Sequence, residues 1–177
     1  MARTKKQSRR YYKKTSWESN LININGSQSA TANNNYVIYE NLATNPALTP
    51  TGITQKFTVK NVKLQVRATA TDITSATNFD NFSVYILYVP EGYASAVPGD
   101  YANIPFNHPE WIMAYRYIGK PLPDTSTSFL PINISTRLAR NLGSGDRIVF
   151  LLLGTNNDAF SHTINYKGLA SFVTKAN

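Results

Sequence analysis

From residue 17 onward, apolar residues recur at every second position or in short unbroken runs, and almost nowhere at the three-and-four spacing of an amphipathic helix. The pattern predicts strands bounded by turn residues. The first is SWESNLINI (16–24), followed, after the polar stretch 26–34, by NYVIYENL (35–42). The run QKFTVKNVKLQVRATA (55–70) places Phe57 and Val59 on one parity and Val62, Leu64, Val66 and Ala68 on the other, so a bulge is expected near Lys60 and Asn61. FSVYILYV (82–89) is apolar on both faces except at Ser83, the signature of a central strand covered on each side. Three prolines between Tyr93 and Glu110 predict a long irregular loop. Extended structure resumes in WIMAYRYIG (111–119), in PINISTRL (131–138), in DRIVFLLLG (146–154) after a turn, and in SHTINYKGLASFVTK (161–175), which should bend or bulge at Gly168. About eight strands at this spacing predict an all-β fold, a single eight-stranded antiparallel jelly-roll sandwich.

Charge divides the chain in two. Of its 18 Lys and Arg residues, seven stand in residues 1–16, which contain no acid. The other eleven are nearly balanced by all ten Asp and Glu. Like charges repel and bury no apolar face, so residues 1–16 are expected to form a disordered or extended arm, and residues 17–177 the folded shell of the molecule. The chain has no cysteine, which excludes disulfides and thiolate metal sites. No run has the length of a membrane helix, and the basic start lacks the apolar stretch of a signal peptide. A soluble protein that is not secreted is expected.

Catalytic chemistry finds little footing. The only histidines, His108 and His162, lie far apart in sequence, and a zinc-type site needs three or four ligands. The acids are scattered singly, mostly beside Gly, Pro or Asn where turn capping accounts for them. There is no phosphate-cradling glycine motif and no Gly-x-Ser-x-Gly elbow. No enzyme, cofactor or metal is expected, with a weak calcium site between loops or subunits left open. A β-sandwich enzyme would have to work through His108, His162 or Glu110.

The arm, by contrast, has a clear chemistry. Arg3, Lys5, Lys6, Arg9, Arg10, Lys13 and Lys14 can neutralise phosphates and release counterions, while Tyr11 and Tyr12 offer faces for unpaired bases. Single-stranded nucleic acid is the expected partner, and nuclear targeting is a compatible second use. In the body, Lys63, Gln65 and Arg67 share one strand face, as do Asn133, Ser135 and Arg137, but its small net charge argues against a fold that grips nucleic acid by itself. Eleven tyrosines among 21 aromatics exceed what one small core needs, so Tyr93, Tyr101, Phe106, Trp111, Tyr115 and Tyr117 are expected at subunit interfaces or closing one end of the sandwich.

Four segments carry a family resemblance: the arm ARTKKQSRRYYKK, VYILYVPEGY (84–93), HPEWIMAYRYIGKP (108–121) and STRLARNLGSGDRIVFLLLG (135–154). In these the sequence resembles the coat proteins of small circular Rep-encoding single-stranded DNA viruses and, more distantly, those of the satellite tobacco necrosis virus type. The resemblance implies a structural capsid protein of the virion, with about 60 copies closing a T=1 icosahedral shell and basic arms pointing inward around single-stranded DNA. The virion is the expected location, and passage through the host nucleus during assembly is compatible with the basic arm. A non-viral β-sandwich binding module with a basic tail, lectin-like or nucleic-acid-associated, is the competing reading.

Overall fold

The computed structural model describes residues 16–45, 56–71, 82–93, 98–119, 122 and 129–176. The arm cations, Tyr11 and Tyr12 lie outside the described residues. Two antiparallel sheets face each other. The first is formed by β1 (Glu18–Ala30), β9 (His162–Ala176), β3 (Phe57–Ala70) and β6 (Leu130–Thr136) in that order, with the short β7 (Arg140–Leu142) also paired to β3. The second has the order β2 (Asn34–Thr44), β8 (Arg147–Asn156), β4 (Phe82–Val89) and β5 (Ile112–Ile118). Nine strands thus stand among the described residues where eight were expected. The extra one is a three-residue strand that a pattern of alternation is too short to reveal.

Alternation builds the core between the sheets. Ile132 and Ile134 of β6, Leu64, Val66 and Ala68 of β3, and Ile164 and Ala170 of β9 point inward. They meet Ile38 of β2, Val84 and Ile86 of β4, and Phe150 and Leu152 of β8 from the other sheet. The parity change in β3 is a bulge. Asn61 adopts φ 54°, the left-handed region that Asn tolerates, and the pairing with β9 skips from Lys60 to Lys63. The segment 26–34 is not a loop throughout: β1 continues to Ala30 because its small polar residues face solvent while each residue pairs with β9. At Gly168, where the sequence suggests a bend or a bulge, no bulge forms: β9 keeps its register with both β1 and β3. Glycine is needed there for closeness instead, since a Cβ would lie 2.0 Å from the Gln65 carbonyl oxygen of β3.

The strand β4 is covered on both faces, as its sequence predicts. Its second face, with that of β8, forms a smaller core of Tyr85, Leu87, Val89, Val149 and Leu151 beneath Tyr101 and Ile104. The covering segment is more regular than expected: α1 (Pro98–Ala102), α2 (Ile104–Asn107) and a 3-10 turn at Pro109–Trp111. Proline starts these turns instead of forbidding them, because its fixed φ suits the first helical turn, where no N–H is required. Among the described residues, no helix is long and apolar enough to cross a membrane.

Candidate nucleic-acid interface

The outward face of the first sheet concentrates positive charge that the net balance conceals. Register fixes which side chains share it. Lys63 stands between Ser135 of β6 and Ser171 of β9, Gln65 between Asn133 and Leu169, and Arg67 between Pro131 and Lys167. Lys60 precedes the bulge, Lys175 pairs beside Thr58, and Arg137 follows β6. These are six cations, and among the described residues no acid points from this face. From Lys60 to Arg67 the face runs for about 20 Å at the usual strand rise, enough to follow a short stretch of single strand.

Glu18, exposed at the start of β1 beside Trp17, lies on the inward parity of its strand, and the other described acids are held away from this face. Glu40 accepts a hydrogen bond from the Tyr166 hydroxyl at 2.8 Å, tying β2 to β9. Asp146 anchors the turn before β8, Asp158 is buried beside His162, and Asp100 and Glu110 belong to the segment covering the second sheet. Among the described residues the two outer faces of the sandwich therefore differ in kind: one is cationic, the other covered by short helices.

Aromatic rings mark both ends of the cationic face. At one end Trp17, 40% exposed, lies over the Lys60 ammonium at 3.7 Å. At the other the Arg67 guanidinium lies 4.1 Å from the centre of the Phe129 ring. Two grooves open between them. One, of about 500 Å³, is lined by Asn23, Gln65, Arg67, Phe129, Asn133 and Lys167, among others. The second, of about 470 Å³, is lined by Lys63, Ser135, Arg137 and Ser171, among others. Among the described residues no Asp or Glu lines either one. Cations joined to exposed rings are what single strands engage, phosphates by charge and bases by stacking.

Of this face the sequence reading had Lys63, Gln65, Arg67, Asn133, Ser135 and Arg137; the structure adds Trp17, Lys60, Phe129, Lys167 and Lys175 to it. Lys167 and Lys175 share a parity in β9, which the sequence displays. That this parity joins Lys63 and Arg67 depends on β3 pairing with β9, which strand spacing does not reveal.

The aromatic set divides. Tyr101 is completely buried, stacked on Tyr39 at 4.3 Å with its hydroxyl accepting from Arg147, so it fills the subunit's own second core and leaves the interface set. Trp111 is half-buried in a cluster with Tyr93 and His108, the imidazole lying flat on the indole at 3.9 Å. Phe106, Tyr115 and Tyr117 are exposed, the last two on the edge strand β5.

His108 sits 3.1 Å from Glu110, whose carboxyl is held below its usual range by its own backbone amide and by His108. His162 is elsewhere and buried, its ring nitrogens hydrogen-bonded to the Thr71 carbonyl at 3.0 Å and the Asp158 carboxylate at 2.8 Å.

No family model matches the sequence, and no curated protein matches it. Among solved structures, the chain is similar to an alpha-amino acid ester hydrolase at 8% identity and TM-score 0.37, covering 81% of this chain and 26% of that one. It is also similar to a chain of maize chlorotic mottle virus at 11% identity and TM-score 0.36, covering 89% and 92%. A third is the capsid protein of BFDV, at 8% identity and TM-score 0.35, covering 92% and 99%. The chain thus spans about a quarter of the hydrolase and nearly all of the two viral chains. None reaches a TM-score of 0.5, so function is read from the surface itself.

Proposed function

We propose that this chain is a structural capsid subunit that associates with copies of itself and packages single-stranded nucleic acid. With β7 set aside, the orders β1-β9-β3-β6 and β2-β8-β4-β5 correspond to the two sheets of a jelly roll. That architecture hosts many functions, so the site must carry the reading. The observation that carries it is at Trp17: this residue, which follows the seven cations of the leader in sequence, lies against Lys60 on the face from which six body cations and, among the described residues, no acid project. This face would turn inward, and arm and face together would neutralise the cargo. The shell would be icosahedral, about 60 copies in a T=1 arrangement, with single-stranded DNA the cargo that the family resemblance favours. Assembly in the host nucleus would suit a basic leader. The chain's role is structural and not enzymatic.

The test is to express the chain alone and image the purified protein by electron microscopy while recording its ultraviolet spectrum. Closed particles absorbing at 260 nm are expected. Solitary subunits at every salt and pH, indifferent to oligo-dT at low ionic strength, would overturn the proposal.

A further inference from the structure

The groove at the Arg67 end has features that charge neutralisation does not require. Its volume of about 500 Å³ is that of a small-ligand site. Register sets two amides side by side on its floor, Asn133 of β6 and Gln65 of β3, with Leu169 of β9 between Gln65 and a third amide, Asn23 of β1. A surface evolved only to hold phosphates is served by further lysines. An amide instead presents a donor and an acceptor side by side, the complement of a base edge. Beside these amides Phe129 is 45% exposed, with Arg67 against it, and Lys167 stands next to Arg67 across the strand pair. The neighbouring groove has cations and serine hydroxyls but no exposed ring, as a phosphate track would.

We infer that this groove is a base-reading subsite for one unpaired nucleotide. The base stacks on the Phe129 and Arg67 pair, its edge meets Gln65 and Asn133, and Lys167 takes the adjoining phosphate. The inference rests on the reading of this face as a nucleic-acid surface and adds to it a preference among bases, which an arm of charges and tyrosines does not supply.

The test uses the full chain, freed of nucleic acid at high salt and titrated by fluorescence anisotropy with labelled oligo-dA, oligo-dC and oligo-dT and their ribose counterparts. The deoxy and ribo series identify which backbone the groove accepts. Wild-type affinities are expected to differ between bases by about threefold or more, within what one hydrogen-bonded edge provides. Phe129→Ala should weaken binding about 10-fold for every base. Gln65→Leu should level the differences, Gln65→Asn should keep part of them, and neither should alter the salt dependence. Lys60→Ala, outside the groove, should lower the salt slope by about 0.7 while leaving the base preference. Circular dichroism checks that each variant folds. Equal affinity for all bases in the wild type, or Gln65→Leu and Phe129→Ala within about twofold of wild type throughout, overturns the subsite. If Lys60→Ala still lowers the slope in that case, the cationic face stands without it. A slope unmoved by Lys60→Ala and Lys63→Ala sinks the reading of the face itself, and the subsite with it.

Discussion

The Trp17 indole covers the Lys60 ammonium at 3.7 Å, and Lys175 approaches the same ring at 6.0 Å. Both lysines project from the outward face of the first sheet, so the residue that follows the basic leader in sequence stands at that face. On the proposed function leader and face bind one strand together, and each cation removed should then lower the salt slope by about 0.7 on a logarithmic plot. Lys63→Ala with Lys167→Ala should lower it by about 1.4, and removing residues 1–15, with their seven cations, by about 5. Binding of oligo-dT measured across a salt series checks this. A double variant with the wild-type slope would show that the face does not touch the strand.

Much of this fold was legible because inward and outward residues alternate along β6 and along β3 beyond its bulge. The bulge at Asn61 was legible for the same reason, since a shift of one residue moves every side chain to the other face. Burial of both faces of β4 could be read from its unbroken apolar run, although what covers the second face could not. Tyr101 looked like an interface residue because exposure is a property of packing, and α1 folds it back over β8 and β2 within the subunit. The cationic face was half-legible. Each strand displays its own lysines, but only the pairing of β3 with β9 and β6 gathers them.

The Asp146 carboxylate closes one corner of the sandwich. It accepts from the amides of Gly143 at 2.8 Å and Glu91 at 3.0 Å and from the Tyr88 hydroxyl at 2.8 Å. Burial, with the hydrogen bond to this carboxylate, pushes the Tyr88 hydroxyl up to about 12. A group that holds its proton more tightly when folded contributes stability that is complete below its unfolded pKa, about 10, and declines as pH rises through its folded value. Stability should therefore fall between about pH 10 and 12, and less steeply in Tyr88→Phe. Denaturant unfolding across that range tests the sign; a Tyr88→Phe curve parallel to wild type would refute it.

His162 and Asp158 form a buried pair that ties the start of β9 to the connection from β8, while the Thr71 carbonyl on the other ring nitrogen ties in the end of β3. Removing one partner takes a buried hydrogen bond from the other. His162→Ala is expected to destabilise the subunit by about 2 kcal/mol. Its binding of oligo-dT at temperatures where it stays folded should be unchanged, since the pair is remote in role from the cationic face. A variant as stable as wild type in urea would remove the pair from the account of stability.

Exposed and buried aromatics should separate assembly from folding. Tyr101 fills the second core and bonds Arg147, so Tyr101→Ala leaves a cavity and removes one hydrogen-bond partner of the guanidinium, at a cost of about 3 kcal/mol or more. Phe106, 73% exposed, and Tyr117, 55% exposed, contribute far less area to the subunit's own core. Their replacement together, as Phe106→Ser and Tyr117→Ser, should change subunit stability by only about 0.5 kcal/mol each. Between copies the balance reverses, because aromatic side chains buried at the centre of an interface commonly account for about 2 kcal/mol apiece. The double variant should then need at least about 10-fold more protein to form particles, read by light scattering against concentration. If it assembles at the wild-type concentration while remaining as stable as wild type, subunits meet through other surfaces.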